Sequence, residues 1–206
     1  TGYPIQADTK GIYGTSQRDF SMGLSNTWTY KNISFGVSFD FRKGGIFYSG
    51  TADLYQFTGN SWVTTYNERR PFIIPNSVNE VTDADGNVTG YVENTKIVDN
   101  AHEDGYYYHT TNPAMSYYNR IIDASFLKMR DLTLSYRLPK FVANKIRSNN
   151  LSITLFARNI LVWTPSSNVY IDPEASNYGN DLTSQFGEFR TGPTLKSFGV
   201  ALKALF

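Results

Sequence analysis

The stretch Asp19-Phe20-Ser21-Met22-Gly23-Leu24-Ser25-Asn26-Thr27-Trp28-Thr29-Tyr30-Lys31-Asn32-Ile33-Ser34-Phe35-Gly36-Val37-Ser38-Phe39-Asp40-Phe41-Arg42 decides the fold. Phe20, Met22, Leu24, Trp28 and Tyr30 share one parity, and Ser21, Gly23, Ser25, Thr27 and Thr29 the other. Only Asn26 interrupts the apolar set. After Lys31-Asn32 the alternation resumes, with Ile33, Phe35, Val37, Phe39 and Phe41 against Ser34, Gly36, Ser38, Asp40 and Arg42, until Gly44-Gly45. A period of two is that of a strand with unlike faces, so the stretch predicts two antiparallel strands joined by a tight turn.

Three further segments repeat the pattern. From Ile121 to Leu138 the clean part is Leu132, Leu134, Tyr136 and Leu138 against Asp131, Thr133, Ser135 and Arg137, ended by Pro139. Upstream, Phe126, Lys128 and Arg130 would continue the apolar face. Charges there face lipid only at high cost, so that stretch either stands outside a bilayer or contains a bulge. Leu151, Ile153, Leu155, Ala157 and Leu161 oppose Ser152, Thr154, Phe156 and Arg158; Phe198, Val200, Leu202, Ala204 and Phe206 oppose Ser197, Gly199, Ala201, Lys203 and Leu205. Phe141 to Asn150 reads as a short connector with about one helical turn.

Two long stretches, Ile46 to Tyr118 and Thr164 to Pro193, show no sustained period. Within the first, Asp83-Ala84-Asp85-Gly86-Asn87 lies between alternating flanks, Val78 to Thr82 and Val88 to Val92, which predicts a small hairpin. Short and long connections therefore alternate along the chain. Outer-membrane barrels have short periplasmic turns and long extracellular loops. One assumption, a periplasmic C-terminus, puts both short turns on the periplasmic side and both long loops outside. A soluble β-sandwich has no reason to keep that parity. Trp28, Tyr30, Tyr136 and Phe206 would then form part of an interfacial aromatic girdle. Five strands cannot close such a barrel, so the expectation is a piece of a larger one, begun in an extracellular loop.

Composition is compatible with this reading. Tyr, Phe and Trp number 15, 14 and 3, and such side chains suit half-wet interfaces. A net charge of +1 gives no field that argues for nucleic acid. There is no cysteine, which excludes disulfides and thiolate metal sites. No apolar run reaches the roughly 18 residues of a membrane helix, but a membrane strand needs only about ten with every second one apolar. The N-terminal Thr1-Gly2-Tyr3-Pro4 has neither an initiator Met nor a signal peptide, which reads as processing or as a start inside a longer protein.

Several motifs resemble those of SusC/RagA-type TonB-dependent receptors. They are Asp123-Ala124-Ser125-Phe126-Leu127-Lys128-Met129-Arg130, Leu134-Ser135-Tyr136-Arg137-Leu138-Pro139, Phe156-Ala157-Arg158-Asn159-Ile160-Leu161-Val162-Trp163-Thr164 and Asp172-Pro173-Glu174. Pro193 with Ser197-Phe198-Gly199-Val200 and Phe206 resembles the family's last strand, and Gly23-Leu24-Ser25-Asn26, Tyr30-Lys31-Asn32 and Gly44-Gly45 match upstream. The resemblance covers residues 11–50 and 118–206. It implies that residues 1–206 are the C-terminal part of a 22-stranded antiparallel barrel in the bacterial outer membrane, with the plug domain and the remaining strands elsewhere. It implies active import of oligosaccharides or peptides, energised by TonB through an N-terminal segment, with a SusD-like surface lipoprotein as partner. It implies no chemistry on the cargo and no cofactor. The rival readings are a siderophore or cobalamin receptor and a soluble β-sandwich that binds glycans.

No catalytic constellation stands out. His102 and His109 read as solvated loop residues rather than metal ligands. Asp83-Ala84-Asp85-Gly86 echoes a calcium loop without its downstream bidentate Glu, so turn chemistry is the better reading. Arg130 and Arg158 are candidate lumen residues, either contacting ligand or plug or pairing with carboxylates such as Asp131. Trp62, Tyr66, Tyr106, Tyr107, Tyr108, Tyr117 and Tyr118 are candidate loop contacts, stacking on sugar rings, packing on a lipoprotein, or packing within the loop. Asp172-Pro173-Glu174 reads as a structural turn. Phe198, Val200, Leu202 and Phe206 form the candidate assembly signal of the terminal strand.

Overall fold

The computed structural model describes residues 2–5, 11–99, 120–169, 171–179 and 182–206. Two compact units divide the chain, one comprising Gly14–Tyr48 and Ile122–Phe206, the other Thr1–Tyr13 and Ser49–Ile121. The strands are β1 (Phe20–Tyr30), β2 (Ile33–Lys43), β3 (Ile46–Ser49), β4 (Phe72–Ile73), β5 (Val78–Thr82), β6 (Val88–Glu93), β7 (Ile97–Val98), β8 (Ile121–Asp123), β9 (Phe126–Arg137), β10 (Asn150–Trp163), β11 (Gly187–Glu188) and β12 (Ser197–Leu205). Among the described residues the helices are few and short: α1 (Gly50–Phe57), α2 (Lys140–Lys145) and the 3₁₀ stretches Trp62–Arg69, which is kinked, and Leu182–Gln185. The chain is β-rich, as its alternation predicts.

In the first unit an antiparallel sheet runs in the order β1-β2-β9-β10-β12. Its register aligns like with like. Trp28, Phe35, Leu134, Leu155 and Val200 form one row across all five strands. The neighbouring row, Thr29, Ser34, Ser135, Thr154 and Ala201, projects from the opposite face. Hydroxyls pair across strands on that face: Thr29 with Ser34 at 3.0 Å, Ser25 with Ser38 at 3.1 Å and Ser135 with Thr154 at 2.8 Å. The apolar face is left open, with Leu155 50%, Val200 64% and Leu202 70% exposed.

Both short connections lie at one end of the sheet. Ile33, directly after the Lys31-Asn32 turn, aligns with Tyr136, and the Arg137 amide donates to the Asn32 carbonyl at 2.8 Å. Between β9 and β10, Pro139 precedes α2, which matches the helical turn expected in that connector. The β12 end returns there too: Asn150 aligns with Leu205, and the buried Ser148 hydroxyl accepts from the Leu205 amide at 3.1 Å.

The predicted segment from Ile121 to Leu138 divides into β8 and β9. β9 then carries a bulge. Ser38 aligns with Asp131 but Phe39 aligns with Met129, so Arg130 is the extra residue. One added residue shifts parity. Leu127 and Met129 therefore take the apolar face beside Phe41 and Phe39, and Phe126 and Lys128 join Arg42 and Asp40 on the polar one. The bulge, one of the two alternatives expected for that stretch, is present.

A smaller sheet, β11-β3-β8, adjoins a core of Phe47, Ile122 and Ala124, with Ile171 packed against it. Gly187 is obligatory there, because a Cβ would stand 2.3 Å from the Tyr48 carbonyl oxygen.

The second unit holds the expected hairpin, β5 paired with β6. Asp83 shapes its turn by accepting from the amides of Asp85 at 3.0 Å and Asn87 at 2.8 Å, and Gly86 takes φ +87°. That is turn chemistry, with one carboxylate oxygen spent on backbone donors. Asn94 is buried, with its side chain donating to the Gly2 carbonyl and the Ser77 hydroxyl. The aperiodic stretch also contains α1, capped by the Ser49 hydroxyl accepting from the Ala52 amide at 2.9 Å, and the short pair β4-β7.

Candidate functional site

The strongest concentration of chemistry lies on the polar face, at the end of the sheet away from the short turns. β2 contributes Asp40 and Arg42, and β9 contributes Phe126, Lys128 and Arg130. The segment after β10 contributes Asp172 and Glu174. The bulge makes the cluster, since without it Lys128 would stand on the apolar side.

Glu174 is its hub. Its carboxylate meets Arg42 at 2.9 Å, Lys128 at 2.5 Å and Arg130 at 2.6 Å. Arg130 also reaches Asp40 at 2.5 Å, and Lys128 pairs with Asp172. The Lys128 side chain is 1% exposed and that of Asp172 6%. Beneath them Phe126 is fully buried, with the Lys128 ammonium 4.8 Å and the Arg42 guanidinium 5.2 Å from its ring centre. Burial pushes the Asp172 carboxyl upward, but hydrogen bonds from Lys128, Thr194 and the Glu174 amide outweigh it and hold the group below its ordinary range. Arg18 stands nearby; burial and the Arg42 charge lower its pKa, opposed by Glu174 and Asp40.

Chemically the cluster is a saturated ion-pair network. Each of the three carboxylates has a charged partner, both oxygens of Glu174 do, and the second oxygen of Asp172 accepts from the Thr194 hydroxyl. Its evident work is to fasten the Asp172-Pro173-Glu174 stretch onto the strands. The stretch is thus a partner of one buried cation, Lys128, and two half-buried ones, Arg42 and Arg130, as well as a turn.

This fold has a solved counterpart. The chain resembles the RagAB peptide importer. Its closed-closed state matches with a TM-score of 0.55 and 18% identity over 93% of this chain. The open-open state matches with 0.54 and 20% over 95%. The chain spans only 17% and 18% of the lengths of those chains. No protein-family model and no curated protein matches the sequence. At such identities the likeness to RagAB is one of fold.

The remaining candidates fall in different places on the chain. Arg130 belongs to the cluster. Arg158 does not: it pairs with Asp131 at 3.1 Å and lies over the Phe156 ring. Trp62 lies on a 3₁₀ turn of the second unit and Tyr66 at the kink that follows it, with φ −51° and ψ 138°; Tyr66 meets Phe72 edge-on with ring centres 4.9 Å apart. Tyr106, Tyr107, Tyr108, Tyr117 and Tyr118, with His102 and His109, lie outside the described residues. Phe198, Val200 and Leu202 lie along β12 with 64–73% exposure, and Phe206 follows at 77%. Sequence reasoning missed Asp40, Arg42 and Lys128 as one site. The available signal was the three cations Arg42, Lys128 and Arg130 on strands whose other residues demand two clean faces.

Proposed function

We propose that this chain is the C-terminal part of a SusC/RagA-type outer-membrane transporter. Its five long strands are a sector of a 22-stranded barrel wall. The apolar face meets lipid and the polar face lines an aqueous interior. Cargo, an oligosaccharide or a peptide, is imported without chemical change, energised by TonB and captured with a SusD-like lipoprotein over the long loops. The observation that carries the reading is the two-faced register: apolar rows stay uncovered across all five strands while hydroxyls and ion pairs occupy the reverse. A soluble β-sandwich would cover the apolar rows with a second sheet. The resemblance of the Asp123–Arg130 and Phe156–Thr164 motifs favours this class over siderophore and cobalamin receptors.

Topological labelling in cells tests the proposal. A cysteine placed within 175–179 of the long loop is expected to react with an impermeant maleimide on intact cells. A cysteine at Asn32 is expected to react only after the outer membrane is opened. Equal labelling of both on intact cells would exclude the arrangement. Loss of growth on a polymeric nutrient when the gene is deleted, restored by the full-length gene, would support import.

A further inference from the structure

The two short connections of the sheet are built differently. Lys31-Asn32 joins β1 to β2 directly, whereas the chain between β9 and β10 makes a detour through α2. The detour covers one side of the sheet. Leu151 shares the parity of Ile153 and Leu155, so it belongs to the apolar face, yet it is only 7% exposed. Strand neighbours stand beside Leu151 rather than over it. Apart from β9 and β12, α2 is the main element packed on β10. The reverse face stays open at this level: its cleft is lined by Ser34, Ser135, Arg137, Ser152 and Lys203 among others, and by no residue of α2. α2 therefore lies on the apolar side, just beyond the row that holds Tyr30 and Tyr136. Ala143 is buried, while Phe141 is 68% exposed and Ile146, just past the helix, is exposed too. Lys140, Lys145 and Arg147 stand among them, and residues 138–150 include no acid. None of the three cations forms an ion pair among the described residues. Apolar side chains interleaved with cations suit a lipid interface, where rings enter the acyl boundary and ammonium or guanidinium groups stay at the phosphates.

We propose that α2, with Ile146 and Arg147, is an interfacial foot that binds anionic phospholipid head groups of the periplasmic leaflet. The inference rests on the barrel-wall reading, which puts the apolar rows in lipid and the short turns in the periplasm. Two observations commit the surface to this occupant. α2 lies on the side of the sheet that this reading gives to lipid, so its exposed Phe141 and Ile146 face the bilayer rather than the interior. Three cations without an acid then select among the lipids, because an anionic head group attracts them and a zwitterionic one does so far less.

The test reconstitutes the full-length protein in phosphatidylcholine vesicles that contain a minor fraction of lipid brominated high in the acyl chain. The brominated lipid is either phosphatidylglycerol or phosphatidylcholine. A bimane label on Phe141→Cys is expected to be quenched about threefold more by the brominated phosphatidylglycerol at low salt, an excess that shrinks as salt rises. A label on Leu202→Cys reports whether the apolar face meets lipid at all. In the protein labelled at 141, Lys140→Gln/Lys145→Gln/Arg147→Gln is expected to bring the two lipids level, and Arg147→Lys to keep the preference. Heat-modifiable gel mobility checks that each barrel is folded. Equal quenching by the two lipids without the charge substitutions, or a preference that survives the triple variant, would overturn the anionic contact and leave the wall reading standing. Quenching at 202 with none at 141 would overturn the placement of α2 in the interface, again without touching the wall. Absence of quenching at both positions would overturn the two together.

Discussion

Lys128 shows how one side chain holds a loop to a sheet. It is buried between Asp172 and Glu174, contacts separated by more than forty residues of chain. Removing one partner of a buried pair leaves the other charge uncompensated, so Lys128→Ala is expected to destabilise by about 3–5 kcal/mol. It should also expose the 164–193 stretch to protease well before the strands unfold; equal resistance in variant and parent would count against the fastening role. Asp172 adds a pH dependence. Its folded pKa is depressed, so its contribution to stability is present above the unfolded value, near pH 4, and is lost as pH falls through the lower folded value. Protease sensitivity of the loop should therefore rise on acidification below about pH 4, and less so in Asp172→Asn. The sequence exposes one half of this site. Lys128 and Arg130 visibly break an apolar parity, which demands a structural answer. Nothing local says which carboxylates answer them, because Asp40 and Glu174 arrive by tertiary pairing.

At the scale of elements, periodicity served where one strand buries or exposes whole faces. The strands expected at 19–30, 33–42, 151–161 and 197–206 differ from β1, β2, β10 and β12 by no more than two residues at any end. It failed where elements are too short for a period to register: β3 at Ile46–Ser49, α1, and the two-residue pairs β4 and β7. Such pieces are fixed by caps and contacts, as Ser49 caps α1. The β9 bulge lies between these cases, its need legible and its position at Arg130 not. Inserting one residue between Arg130 and Asp131 is expected to put Phe126 and Lys128 on the apolar face and to block assembly, whereas Arg130→Gln keeps the register and should assemble. Equal outer-membrane levels of the two variants would sink the parity argument. Within the regular part, Val37→Arg or Leu202→Arg should cost roughly 2–4 kcal/mol if the site lies near mid-membrane, read by the urea midpoint of the folded barrel. Unchanged midpoints in both would place that face away from lipid.

For the molecule as a whole, the decisive fact is what the sheet leaves uncovered. Among the described residues β1 and β12 each have a strand on one side only, so two rows of backbone donors and acceptors await partners. The apolar face between them carries Phe35, Leu134, Leu155, Val200 and Leu202, each at least 39% exposed. In water such a surface with open edges promotes association. In lipid the edges alone are prohibitive, since each unmet backbone group costs several kcal/mol where no water can answer it. Neither solvent suits these strands alone; a sheet continued on both sides and surrounded by lipid suits them in both respects. The 206-residue chain produced by itself is therefore expected to aggregate in buffer and to remain incompletely folded even in detergent. Co-expression with the remaining strands that the proposed barrel requires should supply the missing edges and give a heat-modifiable, protease-resistant complex. Analytical ultracentrifugation and protease digestion of both preparations would check this. A detergent-free monomer with the strands protected would mean that this sheet finds its partners within these residues, and the barrel-wall reading would fall with it.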